Sequence, residues 1–183
     1  MTAPRPATGT RSRNGPRLDG RVLVLGYGNP ARLDDGLGPA FCEALVADGW
    51  DAPEYRTVQT AMQLHIEHAA EVAGYDVVVF VDATLPGPGS FVFEVVQPGA
   101  RHAEFTTHSA SPAGILGLAR GLFGSEVRGY TLGIRGLEFG EFGEYLGGEA
   151  RRNLDDALQF FHGLPARAEA PVRRAAAAEM IHG

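Results

Sequence analysis

Lysine is absent from the 183 residues: all 16 basic side chains are Arg. Eight of them stand outside residues 22 to 163, at Arg5, Arg11, Arg13, Arg17, Arg21, Arg167, Arg173 and Arg174, so the central stretch sets 19 acids against eight Arg, a net of −11. A body so acidic repels a phosphate backbone, which argues against nucleic acid as its partner. Cysteine is nearly missing as well. Cys42 stands alone, cannot close an internal bridge, and fits a reducing, cytoplasmic setting. No apolar run approaches the ~20 residues that span a bilayer, and the first 20 residues lack the apolar stretch of a secretory signal, so neither membrane insertion nor export is expected.

What is present is the profile of one soluble domain: 44% hydrophobic residues, 21% charged and a formal net charge of −6. A domain of this length buries roughly 70% of its unfolded surface and folds without disulfides or a structural metal. Residues 1 to 21 are rich in Pro, Thr, Gly and Arg and read as a disordered tail, because they hold too few large apolar side chains to offset the entropy of ordering. From Leu164 the chain turns again to Ala, Pro and Arg, so the folded unit is read as 22 to 163, with 164 to 183 as a second tail.

Within that unit strands and helices alternate. Val22 to Leu25 is a continuous apolar run of the kind buried on both faces of a sheet. Leu37, Ala40, Phe41, Ala44 and Leu45 then fall on one helical face, with Gly49 marking its end, and Cys42 on that helix reads as core packing. Residues 54 to 59 suggest a second strand, and Met62, His65, Ile66, Ala69 and Ala73 a second helix closed by Gly74. Val77 to Val81 is the strongest strand signal and ends in Asp82; Phe91 to Val96 is another. Ser111 followed by Pro112 starts a helix faced by Ile115, Leu118, Ala119 and Leu122. Val127 to Ile134 is a last strand, and Ala150, Leu154, Ala157, Leu158 and Phe161 line a last helix. This order predicts a three-layer α/β domain around a mainly parallel sheet, with ligands beyond the carboxyl ends of the strands.

Three features lie at those ends. Gly26-Tyr27-Gly28-Asn29-Pro30-Ala31 satisfies a G-x-G-x-x-A dinucleotide pattern, yet it runs on into Asp34-Asp35-Gly36, two carboxylates where a pyrophosphate would sit. No acid closes the second strand to hold a ribose. The pair suits a cation instead, or else Asp34 caps the helix and Asp35 complements its dipole. Asp82 is an acid at the mouth of the most buried strand, serving either the site or the following loop. His108 precedes the Ser111-Pro112 helix start, as a ligand or as a plain structural residue. Together, two carboxylates and an imidazole converging on one mouth leave coordination positions open for water or a guest ligand. No G-x-S-x-G elbow is present.

In Leu25 to Pro30 with Asp34 to Gly38, in Val79-Phe80-Val81-Asp82-Ala83, and in Thr107 to Pro112, the sequence resembles the hydrogenase maturation endopeptidases over nearly all of 22 to 163. Gly136-Leu137-Glu138-Phe139-Gly140-Glu141-Phe142-Gly143 is similar to the segment before the last helix in the branch serving cytoplasmic hydrogenases. The resemblance implies a three-layer αβα sandwich around a twisted five-stranded sheet. It further implies an endopeptidase that trims the C-terminal extension of a nickel–iron hydrogenase large-subunit precursor after nickel insertion, with nickel arriving in the substrate. The metal ligands it implies are Asp35, Asp82 and His108, with Asp34 as a ligand-orienting group or base. Val58-Gln59-Thr60-Ala61-Met62-Gln63-Leu64 departs from the Asp-Gly-Gly-Thr-like loop common in the family, which bears on which hydrogenase is served. The alternatives are a non-catalytic metal-checking accessory protein with the same site and a dinucleotide-binding protein, against which the Asp34-Asp35 pair argues.

Overall fold

The structure, a computed structural model, describes residues 16–85, 87–99 and 110–166. Five strands form one sheet: β1 Val22–Tyr27, β2 Arg56–Ala61, β3 Val77–Thr84, β4 Phe91–Val96 and β5 Arg128–Arg135. Their order is β2-β1-β3-β5-β4, all parallel except β4, which lies antiparallel on β5 at the edge. The helices are α1 Leu37–Ala47, α2 His68–Val72, α3 Pro112–Phe123 and α4 Gly148–His162, and a 3₁₀ turn, Leu33–Gly36, leads into α1. This is the α/β sandwich that the alternation of elements predicts.

The period-two pattern of the central strands divides the core in two. Val22, Val24, Val77, Val79 and Val81 face one way and pack with Leu37, Phe41 and Leu45 of α1 and Ala157 and Phe161 of α4. Leu23, Leu25, Val78 and Phe80 face the other way, against Ala69 and Val72 of α2 and Ile115, Leu116 and Ala119 of α3. Ser111 caps α3 as its position suggests: its hydroxyl accepts the Gly114 N–H at 3.1 Å, with Pro112 as the first helical residue. Gly124 closes the helix in the left-handed conformation, φ 63°.

Three readings are corrected. The packed unit begins before residue 22, because Leu18 is buried in the core of the α1/α4 side and its N–H donates to Pro165 at 2.8 Å; Leu164 packs on the same cluster. The outer parts of the two tails, 1–15 and 167–183, lie outside the described residues. The second helix is only His68–Val72: Met62 and Ile66 are 60% and 56% exposed, and the Leu64 carbonyl accepts the Ala110 N–H at 3.1 Å, so its backbone serves the chain entering α3 instead of a helical turn. Leu122, expected on the apolar face of α3, is exposed near the end of that helix.

Candidate active site at the carboxyl edge of the sheet

The close seat of α1 on the sheet is made by glycine. A Cβ on Gly38 would collide with the backbone carbonyls of Tyr27 and Val81, so the first turn of α1 lies directly against the ends of β1 and β3. Gly28, at φ 136°, takes a conformation that side chains avoid, and a Cβ there would strike the Asp35 carbonyl. A Cβ on Gly26 of the dinucleotide-like pattern would likewise meet the Gly38 carbonyl of α1, so both glycines of that pattern serve the close approach of the turn and α1 to β1, and a phosphate is not needed to explain them. Leu33, φ 52°, is the one non-glycine residue with positive φ among the described residues, and it opens the 3₁₀ turn that carries both acids.

From that turn the two adjacent carboxylates part. Asp34 has no exposed surface. Its Oδ2 accepts the N–H groups of Leu137 at 2.8 Å and Glu138 at 2.9 Å, and its Oδ1 accepts the Gly147 N–H at 3.1 Å. It does not cap α1, whose N-terminal residue Gly36 has no side-chain cap, so the capping expectation for Asp34 is replaced by a long-range one. The carboxylate ties the segment between β5 and α4 to the turn after β1.

Asp35 is half-buried and turns toward the mouth, its Oδ2 accepting the Asn29 N–H at 2.9 Å. Asp82, in β3 one residue beyond the fully buried Val81, is half-buried and accepts its own neighbour's amide, Ala83 N–H, at 2.8 Å. Burial pushes the Asp82 carboxyl up to about 6, opposed by hydrogen bonds from Tyr27 and from Ala83 and reinforced by the charge of Asp35. The charge of Asp35 is the smallest of these influences on Asp82, and it sets the two acids within electrostatic reach at the carboxyl edge of the sheet. The third expected member, His108, lies outside the described residues, and among the described residues no group of three His, Cys, Asp or Glu side chains is placed to hold a metal ion.

Tyr27 completes what the described residues show, a residue that the sequence places inside a glycine loop and does not single out. It ends β1 on the same face as Leu23 and Leu25, in the strand neighbouring Asp82, and its phenol lies close enough to the Asp82 carboxyl to hold that group's titration down. Burial and the adjacent negative charge raise the phenol well above its ordinary range, so it stays a proton donor at every physiological pH. Strand parity was the available signal: Leu23, Leu25 and Tyr27 alternate, as do Val78, Phe80 and Asp82. Cys42 is buried, its Sγ donating to the Gln59 carbonyl at 3.3 Å, and burial pushes the thiol up to about 12, the state of a packing residue and not of a nucleophile.

No protein-family model matches the chain, and no curated protein matches it. Solved structures do. The NiFe hydrogenase maturation protease HycI from Thermococcus kodakarensis KOD1 is similar at TM-score 0.60 and 19% identity, over 78% of this chain and 90% of that one. The hydrogenase maturating endopeptidase HybD from E. coli is similar at TM-score 0.57 and 22% identity, over 77% and 89%. The NiFe hydrogenase maturation protease HybD from Thermococcus kodakarensis is similar at TM-score 0.54 and 24% identity, over 78% and 97%. Across nearly the full length of those proteins, this chain has the fold of the hydrogenase maturation proteases.

Proposed function

We propose that the chain is a cytoplasmic endopeptidase that removes the C-terminal extension of a nickel–iron hydrogenase large-subunit precursor, reading the nickel already bound in that substrate through Asp35, Asp82 and His108. The observation that carries this reading is the pair of carboxylates from two separate segments, Asp35 from the turn after β1 and Asp82 from β3, both half-buried at the carboxyl edge of the sheet, where the negative charge of Asp35 adds to what raises Asp82. The fold shared with HycI and HybD supports it.

The donor set suits a divalent cation presented by the substrate. A site that keeps two like charges near each other at a half-buried edge has an unrelieved repulsion, and a cation docked there relieves it. At a pH near 6 docking also displaces the proton from Asp82. A divalent ion polarises a scissile carbonyl and lowers the pKa of a bound water, the chemistry that adds the elements of water across a peptide bond. This chain's own groups orient that event. Asn29 N–H fixes one oxygen of Asp35 and Ala83 N–H one oxygen of Asp82, with the Tyr27 phenol beside the latter carboxyl. Asp34 acts at a distance, with both its oxygens committed to main-chain amides and none of its surface exposed.

The test is intact-mass measurement of a nickel-loaded large-subunit precursor incubated with the full chain. The precursor is expected to lose its C-terminal extension, and Asp35→Ala, Asp82→Ala and His108→Ala to stop the loss. An uncut precursor, with the three variants indistinguishable from the wild type, overturns the reading. A precursor that is retained but not shortened assigns the chain to non-catalytic metal checking.

A further inference from the structure

Between β5 and α4 runs a segment of unusual composition in which three acids, Glu138, Glu141 and Glu144, alternate with three aromatic residues, Phe139, Phe142 and Tyr145. All six are exposed; Phe142 is 83% open to solvent and Tyr145 59%. The backbone beneath them is pinned. Besides the three amides on Asp34, Leu33 N–H donates to Gly143, Asp34 N–H to Glu138 and Gly143 N–H to Ala31, at 2.9 to 3.1 Å. Exposed aromatic side chains on a rigid frame lose little entropy on binding, which is the condition for an interface anchor. The segment starts at the site's own edge: Gly136 N–H donates to Thr84, two residues past Asp82. At its far end, Tyr145 and Glu144 help to line a cavity of about 230 Å³ shared with Pro30, Leu33, Pro39 and Arg151.

We infer that residues 136–147 are a docking surface for a basic, apolar segment of the partner polypeptide, an Arg- or Lys-bearing stretch with aliphatic side chains, lying alongside the Asp35–Asp82 mouth. Charge complementarity names the partner's chemistry: three Glu ask for cations, and the aromatic faces between them accept guanidinium as well as aliphatic groups. The chain itself illustrates the contact, with the Arg32 guanidinium 5.6 Å from the centre of the Phe142 ring. A second copy of the chain is disfavoured as occupant, because a twofold contact would set the same three Glu against one another. That the partner is the polypeptide cut at the mouth rests on the proposed function.

The test uses the full chain and the nickel-loaded large-subunit precursor, following cleavage rate against precursor concentration by intact mass. Phe142→Ala is expected to raise KM about tenfold at unchanged kcat, and Glu141→Arg with Glu144→Arg to raise it further; wild-type KM rises with added salt while that of the charge-reversed variant does not. Asp35→Ala, in contrast, loses kcat. If the wild type binds without cutting, the proposed function fails, and dissociation constants for the same variants decide the docking surface. If the wild type cuts and neither loop variant alters KM, the docking surface fails and the function stands. If it neither binds nor cuts, both fail. A wild type that sediments as a dimer, with Phe142→Ala a monomer, assigns the surface to a second copy and overturns the inference.

Discussion

Asp34 and Asp35 are chain neighbours with the same side chain, and the molecule uses them in opposite ways. Asp34 spends both oxygens on main-chain amides from residues more than 100 positions away and has no contact with solvent. Asp35 keeps partial exposure and, among the described residues, one amide partner, and its charge adds to what raises Asp82. The difference teaches how an acid is recognised as structural or functional: by whether the fold satisfies its charge. A carboxylate with three N–H donors is satisfied where it is, whereas a half-buried one near another carboxylate at a strand end is left to take up a proton or a cation.

The largest expected effect breaks the structural half of the pair. Asp34→Ala orphans three partly buried amides and leaves a gap where a fully buried side chain stood, and is expected to cost on the order of 3 kcal/mol, read as a large fall in thermal midpoint by circular dichroism. Asp35→Ala, measured the same way, is expected to shift stability by no more than about 1 kcal/mol while stopping precursor processing. Equal stability losses for the two variants would dissolve the distinction.

The next effect has a sign set by titration. Burial pushes the folded Asp82 carboxyl up to about 6, above the ordinary carboxylate value of 3.8, so between these pH values the native state holds more protons than the unfolded one. Stability therefore declines as pH rises from about 4 to about 6 and levels off above. Asp82→Asn removes that slope and is expected to be more stable than the wild type at pH 7.5 by on the order of 1–2 kcal/mol, an advantage that disappears below about pH 4. Denaturant unfolding across pH checks it, and a variant less stable at pH 7.5 would show that Asp82 is satisfied like Asp34.

A smaller change sharpens the same site. Tyr27→Phe removes a hydroxyl that holds the Asp82 carboxyl down, so that carboxyl is expected to titrate still higher, seen as a rise in the midpoint pH of its carboxyl carbon shift followed by nuclear magnetic resonance. An unchanged titration would remove Tyr27 from the site. Smallest of all, the native Cys42 thiol is expected to resist alkylation at pH 8, and Cys42→Ala to retain precursor processing with a loss of roughly 1 kcal/mol. Rapid alkylation by iodoacetamide in the folded protein would contradict its burial.

Much of the fold was legible where the signal is local. Apolar runs marked β1 and β3, helical spacing marked α1 and α4, and Ser111-Pro112 marked the start of α3, because each depends on residues within one or two turns. The second helix misled for the same reason. Met62 and Ile66 have helical spacing, but Leu64 pairs with Ala110, a partner 46 residues away that no local pattern reveals. At the site, Asp35 and Asp82 were legible as acids at strand ends. Tyr27 was hidden inside a glycine motif that drew attention to its glycines, and the duty of Asp34 was hidden because its three donors come from the other end of the domain.

By itself, then, the sequence determined the alternation of strands and helices, the two-sided burial of the central strands and the supply of acids to their carboxyl ends, since period and composition act over a few residues. Only the tertiary structure decided which acid is satisfied and which is strained, that Tyr27 serves Asp82, and that an acidic, aromatic segment is held rigid beside the mouth. Those outcomes depend on hydrogen bonds and charges brought together from distant parts of the chain, and their energies exist only once the sheet has closed.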